Sequence, residues 1–198
     1  MILGANPNDV ALCDGVDLSQ HTGEPTFTVM PPSSSPLQSL LWIGGRAMPR
    51  IGEWDGPFEL AEDAKFPGLQ EVSGVYCVMV SDEVDADEVE RILGYRNRIV
   101  DFGSGYIGER LEAHADPDST SGDEEIQQLI EDGVPLECHI LPIDDVTEKQ
   151  LRGYEGDLID SFHEEYRTRP MANQKTPSEG RKALPRKYFD IIGEGALA

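Results

Sequence analysis

Lysine is scarce in this chain. Five lysines (Lys65, Lys149, Lys175, Lys182, Lys187) stand among 198 residues, and 16 Lys plus Arg face 38 Asp plus Glu, a formal net charge of −22. So large an excess of acid argues against a surface that attracts polyanions over its whole area. Two readings follow: a protein that avoids nucleic acid, or a halophilic protein whose acidic surface keeps it dissolved in a salt-rich cytoplasm. Few lysines, many acids and 7% aromatics fit the second pattern. Cysteine is also sparse. Cys13, Cys77 and Cys138 are odd in number and widely spaced, which points to reduced thiols rather than a disulfide framework or a zinc site. No apolar run approaches the roughly 20 residues a membrane span needs. The first ten residues lack a basic stretch followed by an apolar one, so no secretory signal is expected. The expectation is a cytoplasmic protein with no membrane partner. A hydrophobic content of 38% is enough to order a core and excludes a wholly disordered acidic chain.

What basic charge there is clusters. Between Arg167 and Lys187 lie Arg167, Arg169, Lys175, Arg181, Lys182, Arg186 and Lys187 with one acid, Glu179, so the segment carries +6 and the remainder −28. Such a segment is either a solvated tail or a strip that tracks phosphates from an otherwise anion-repelling body.

Residues 1–68 carry turn-rich stretches, notably Met30 to Pro36 and Glu53 to Pro57, around short apolar pieces, and read as an N-terminal extension or cap. From residue 69 to about 175 the pattern supports one domain, followed by a basic tail over 176–198. Val72 to Val80 is apolar and β-branched on both alternations, as a covered strand would be. Asp85 with Glu88 opens a short helix to Leu93 by a capping-box pattern. Arg98 to Phe102 reads as a second strand ending in Gly103-Ser-Gly105, and Tyr106 to Ala115 as a short helix. Ser121 with Glu124, and Thr147 with Gln150, repeat the capping pattern and open helices to about Glu131 and Tyr166. Leu136 to Ile143 is a third strand. With the first helix taken as an insertion, the order β-β-α-α-β-α predicts an α+β fold with a small three-stranded antiparallel or mixed sheet flanked by helices.

Two helices carry polar residues where apolar ones are expected. On the last, Leu151, Leu158, Ile159, Phe162 and Tyr166 all fall within about 60° of Glu155 around the helix axis. An unpaired buried carboxylate is costly. Glu155 therefore needs an arginine, a metal ion, or a mouth open to water. On the short helix Tyr106, Arg110 and His114 follow at i, i+4 and i+8 beside a glycine-rich turn, an arrangement suited to phosphate. Cys138 and His139 are adjacent on a strand, point to opposite faces and cannot form a thiolate pair.

These segments, taken together, resemble the GIY-YIG nuclease superfamily. Gly74-Val75-Tyr76 looks like its first motif, and Val100-Asp101-Phe102-Gly103-Ser104-Gly105 like its second, followed by a helix bearing Arg110 and His114. Glu155-Gly-Asp-Leu158-Ile159 resembles the metal-binding glutamate segment, and Arg169 to Asn173 the closing segment that ends in asparagine. The likeness covers about residues 71–173. The literal string Tyr106-Ile107-Gly108 is not the second motif, because the family's arginine follows its tyrosine by nine or ten positions. Counting nine from Asp101 reaches Arg110, so Asp101 stands where the family usually has tyrosine. The stretch between Val80 and Arg98 is also longer than the family's hairpin.

The resemblance implies phosphodiester hydrolysis of DNA with one Mg2+ or Mn2+ ion. Glu155 would ligate the metal. Tyr76 would orient or deprotonate the attacking water, a nearby cation being needed to favour phenolate. Arg110 would contact the phosphate, and His114 would relay a proton or do the same. Asn173 would buttress the site, with Gly74, Asp101, Gly103 and Tyr106 in supporting places. The first expectation is thus a metal-dependent endonuclease of restriction or repair type. Against it stand a catalytically silent domain of the same fold, binding DNA or protein, and an unrelated α+β protein with chance motifs. Asp101 and the acidic charge favour the silent domain; Tyr76, Arg110 and Glu155 together favour the enzyme.

Overall fold

The computed structural model describes residues 49–173 and 184–197. In chain order these form β1 (Arg50–Ile51), β2 (Asp55–Leu60), β3 (Ser73–Val80), α1 (Ala86–Leu93), β4 (Ile99–Tyr106), α2 (Ile107–Ala115), α3 (Glu124–Glu131), β5 (Leu136–Asp144) and α4 (Glu148–Tyr166). A 3-10 turn (Arg186–Phe189) and α5 (Asp190–Glu194) follow. The strands make one antiparallel sheet in the order β1-β5-β3-β4, with β2 pairing a second part of β5.

β3 lies centrally because it alone is apolar on both alternations. Its residues from Gly74 to Val80 are all buried. Tyr76, Val78 and Val80 face one layer, where they meet Ile107 and Leu111 of α2 and Ile126 and Leu129 of α3. Val75, Cys77 and Met79 face the other, against Leu151, Leu158, Ile159 and Phe162 of α4 and Ile191 and Ile192 of α5. Each such side chain stabilises by about 1.5–3 kcal/mol when fully buried. The two layers therefore hold β3 in one register, since a one-residue slip would exchange its two faces.

The α+β class expected from the sequence is what the chain adopts, with five strands among the described residues rather than three. The two extra strands come from residues 50–60, within the stretch read as an extension. β1 has only two residues, and β2 carries Pro57 at an irregularity in its pairing with β5. Proline at an edge strand is tolerated because no ladder donor is needed there, but it erases the alternation by which strands are read. The capping signals fared unevenly. Thr147 and Gln150 form the full reciprocal box at the start of α4. Asp85 caps α1 through the amide of Asp87, while Glu88 turns to Arg91. α3 is capped not by Ser121 but by Asp123, which accepts from the Glu125 amide. A carboxylate at this position serves the positive helix end better than a hydroxyl two residues earlier.

Among the described residues β4 forms one edge of the sheet, and residues 172 and 173, not another strand, close its outer side. The Ala172 amide donates to the Val100 carbonyl at 3.0 Å. Asn173 then supplies both partners for the peptide groups of Phe102: its Oδ1 accepts from the Phe102 amide at 2.8 Å, and its Nδ2 donates to the Phe102 carbonyl at 2.9 Å.

Candidate active site around the end of β4

A cleft of about 1410 Å³ wraps round the outer edge of β4 toward the end of the strand. Its floor is Gly103, Ser104 and Gly105, one wall comes from α2 and the start of α3, and the other from α4. Because strand side chains alternate, Tyr76, Asp101 and Gly103 approach from one face of the sheet and Ser104 from the other, where Glu155 waits.

Tyr76 is fully buried. It pairs across the ladder with Gly103. A Cβ at position 103 would fall inside the space of the Tyr76 ring and hydroxyl, so glycine is what lets the ring lie across β4. The hydroxyl meets His114 Nε2 at 2.9 Å. The other ring nitrogen, Nδ1, accepts from the Asp123 amide at 3.0 Å. An acceptor at Nδ1 places the imidazole proton on Nε2, so His114 donates to the Tyr76 oxygen. Burial, reinforced by the charge of Arg110, pushes His114 down to about 4. It is neutral at pH 7 and fixes Tyr76 rather than carrying charge.

The Arg110 guanidinium lies beside the same hydroxyl. It is held on its far side by the Ser121 carbonyl, 3.3 Å from Nη1. Burial, then the charge of Asp101, raises the Tyr76 phenol well above its ordinary value, with Arg110 opposing. Tyr76 therefore keeps its proton in the free chain. With its oxygen facing two donors, that proton is directed away from both.

Glu155 projects from the apolar stripe of α4 and is mostly buried. Its partner is Ser104, whose hydroxyl donates to Oε2 at 2.6 Å. Among the described residues it has no ion pair. Of the three settings its position allows, the described residues supply no arginine pair, which leaves a metal ion or the open mouth. Burial raises its carboxyl, while Ser104 and Arg110 pull it back. Asp101 is more deeply placed, 6% exposed. Its Oδ1 accepts from Asn173 Nδ2 at 2.6 Å. Burial, with the charges of Asp123 and Glu155, pushes it up to about 8.

Tyr76, Asp101, Gly103, Tyr106, Arg110, His114, Glu155 and Asn173 therefore line a single cleft. Tyr106 sits at the lip, 58% exposed, and ends β4 rather than reaching the interior. Gly74 lies outside the cleft, pressed against the Leu141 carbonyl, where a Cβ would not fit. The basic segment is more dispersed. Arg167 and Arg169 line a separate hollow of about 600 Å³ that shares Asn173 with the cleft. Arg186 is exposed, while Lys187 is engaged by Glu53 at 2.7 Å and lies over the Tyr188 ring. Lys175, Arg181 and Lys182 lie outside the described residues. The two cysteines of the sheet are inert: burial pushes Cys138 up to about 12 and Cys77 well above the usual thiol range.

Three features escape a reading of the sequence. Ser104 is an ordinary strand serine until its face is known. Asp123 is hidden by the competing Ser121 signal. The cleft walls are also acidic, with Glu109, Asp123, Glu124 and Glu125 on one side and Glu148 opposite. Chain-wide charge announces acid, but not that it gathers here.

Magnesium is held by one or two carboxylates with water and substrate phosphates. Glu155, with a single hydroxyl partner at an open mouth, fits such a cation. Among the described residues no group of three or more His, Cys, Asp or Glu forms a cage. The donor set among the described residues is thus one carboxylate, Glu155, with its Ser104 hydroxyl. No protein-family model, curated protein or solved structure matches the chain.

Proposed function

We propose that this chain is a metal-dependent DNA endonuclease built on the plan of the GIY-YIG superfamily. The observation that carries the reading is the convergence of Tyr76, Arg110, His114 and Glu155, drawn from β3, α2 and α4, on one cleft. A divalent ion, when bound at Glu155, supplies charge to offset the phosphate. Arg110 presents forked donors to a non-bridging oxygen and is worth most where negative charge grows in the transition state. Tyr76, locked by His114, turns its proton toward the incoming water or the phosphate and orders the attack. Because burial keeps the phenol protonated, orientation is its role in the free site. Asn173 and Ser104 hold Asp101 and Glu155 in place.

The acidic walls favour a second reading, a silent domain of this plan that binds a protein partner through the cleft. The two separate in a cleavage assay on plasmid and branched DNA with Mg2+ or Mn2+, run in high KCl so that the walls are screened. Wild type is expected to cut, and Glu155→Gln to lose cutting while melting, without metal, within about 1 kcal/mol of wild type, since no arginine is stranded. A wild type without metal-dependent cutting would overturn the enzyme in favour of the silent domain. Replacing Arg181, Lys182, Arg186 and Lys187 by Gln should weaken DNA binding and flatten its salt dependence if the basic segment tracks phosphates. An unchanged slope would make that segment merely solvated.

A further inference from the structure

Asp101 is the group in this cleft whose presence the fold does not explain. It is buried on a strand facing Val78 of the central strand, where an apolar residue would pack at no electrostatic cost. Among the described residues its carboxyl has one hydrogen-bond partner, Asn173, and that bond occupies only Oδ1. The second oxygen is not sealed in. Among the described residues the one buried side-chain polar atom without a partner is His139 Nε2, and Asp101 lines the cleft.

The groups acting on it come from several elements, and Asp101 in turn acts on the Tyr95 phenol and the Cys77 thiol. Tyr76 on β3, Arg110 on α2, Asp123 at the start of α3 and Glu155 on α4 all act on it. Two of these are carboxylates, and the one cation, Arg110, is engaged with Tyr76 and Ser121. A carboxyl so placed, held by an amide that is itself held by the Phe102 backbone, is aimed and kept neutral rather than ion-paired.

Resting on the nuclease reading, we infer that Asp101 is the general acid of the reaction, giving its proton to the leaving oxygen of the scissile phosphodiester. A water oxygen bonds to phosphorus as the bond to the leaving sugar oxygen breaks. The water's proton passes to bulk solvent through the cleft mouth, the leaving oxygen takes the proton of Asp101, and the carboxylate is reprotonated from solvent. A proton held up to about pH 8 suits the task, since a general acid works best with its pKa near the operating pH. Asn173 is then a positioning residue, fixing which oxygen of Asp101 faces the cleft.

The test is leaving-group rescue. An oligonucleotide spanning a bond that wild type cuts is compared with the same strand carrying sulfur in place of the bridging 3′ or 5′ oxygen, because a thiolate leaves without being protonated. Asp101→Asn preserves the bond to Asn173 and is checked by melting. It is expected to slow cutting of the oxygen substrate by roughly 10²–10³-fold, and of the sulfur substrate with the matching bridge by less than about threefold. Asp101→Ala is expected to give the same contrast. Equal losses on oxygen and sulfur substrates, in a wild type that cuts DNA, would overturn this inference alone. A wild type that cuts neither overturns the nuclease reading and takes this one with it.

Discussion

Replacing Gly103 by alanine tests the placement of Tyr76 without reference to any activity. The added methyl would occupy the space of the Tyr76 ring and hydroxyl, and Gly103 has no positive φ to complicate the outcome. Forcing extra volume into a packed core costs about 1–3 kcal/mol. Expelling the ring also breaks the bond to His114, worth about 1 kcal/mol. Against this, alanine gains roughly 0.5–1 kcal/mol over glycine within a strand. The net is a loss of about 1–3 kcal/mol. Tyr76→Ala alone should cost about 3–5 kcal/mol through its cavity. In that background the clash is gone, so Gly103→Ala should become neutral or stabilise by up to about 1 kcal/mol. The four proteins, compared by urea unfolding, form a cycle with an expected coupling near the upper end of the range for touching residues, about 2–3 kcal/mol. Additive costs within about 0.5 kcal/mol would mean that the ring does not lie over residue 103, and the site built around it would fall.

Further expectations concern the polar groups beside it. Asp101 has its folded pKa raised from 3.8 to about 8. The folded state thus holds a proton that the unfolded chain releases, and stability falls with rising pH across that window, by at most about 1.4 kcal/mol per unit. Asp101→Asn should therefore melt higher than wild type at pH 8 and above and converge with it near pH 4; a gap independent of pH would refute the assignment. Asn173→Ala removes three hydrogen bonds, two of them to Phe102, and should cost about 2–4 kcal/mol in chemical denaturation; a loss under 1 kcal/mol would show the edge satisfied by other means. With a net charge of −22, the melting temperature should climb as KCl is raised from low to molar concentration, since repulsion among exposed acids is screened. A flat curve would indicate that the acids are already balanced.

The core is legible because β3 and α4 advertise themselves. An eight-residue apolar strand and a helix with a complete capping box leave few alternatives, and Glu155 betrays itself by interrupting the stripe that buries Leu151 and Phe162. β1 and β2 are not legible, since two residues, or six broken by Gly56-Pro57, carry no period. The site is partly legible for the same reason: Tyr106, Arg110 and His114 share a helical face that any projection reveals. Their fates differ, however, because depth is a tertiary property. His114 is buried under Asp123, Arg110 is half-buried and Tyr106 lies in water. Nor does a local pattern say which groups meet across the sheet. Ser104 reaches Glu155, and Asp101 reaches Asn173, over separations of 51 and 72 residues.

The closure of β4 by a side-chain amide also sets how far the sheet is protected from outside. Antiparallel pairing alternates, so Phe102 and Ser104 turn their peptide groups to the same outer side. At Phe102 that side is filled by Asn173, which imitates a peptide group and denies the edge to a strand from another molecule. Two residues on, the imitation stops. Amide exchange should accordingly be slow at Phe102 and fast at Ser104. Among the described residues the strand is thus shut to strand addition along its buried half, and its backbone is left uncovered over the glycine-flanked floor of the cleft.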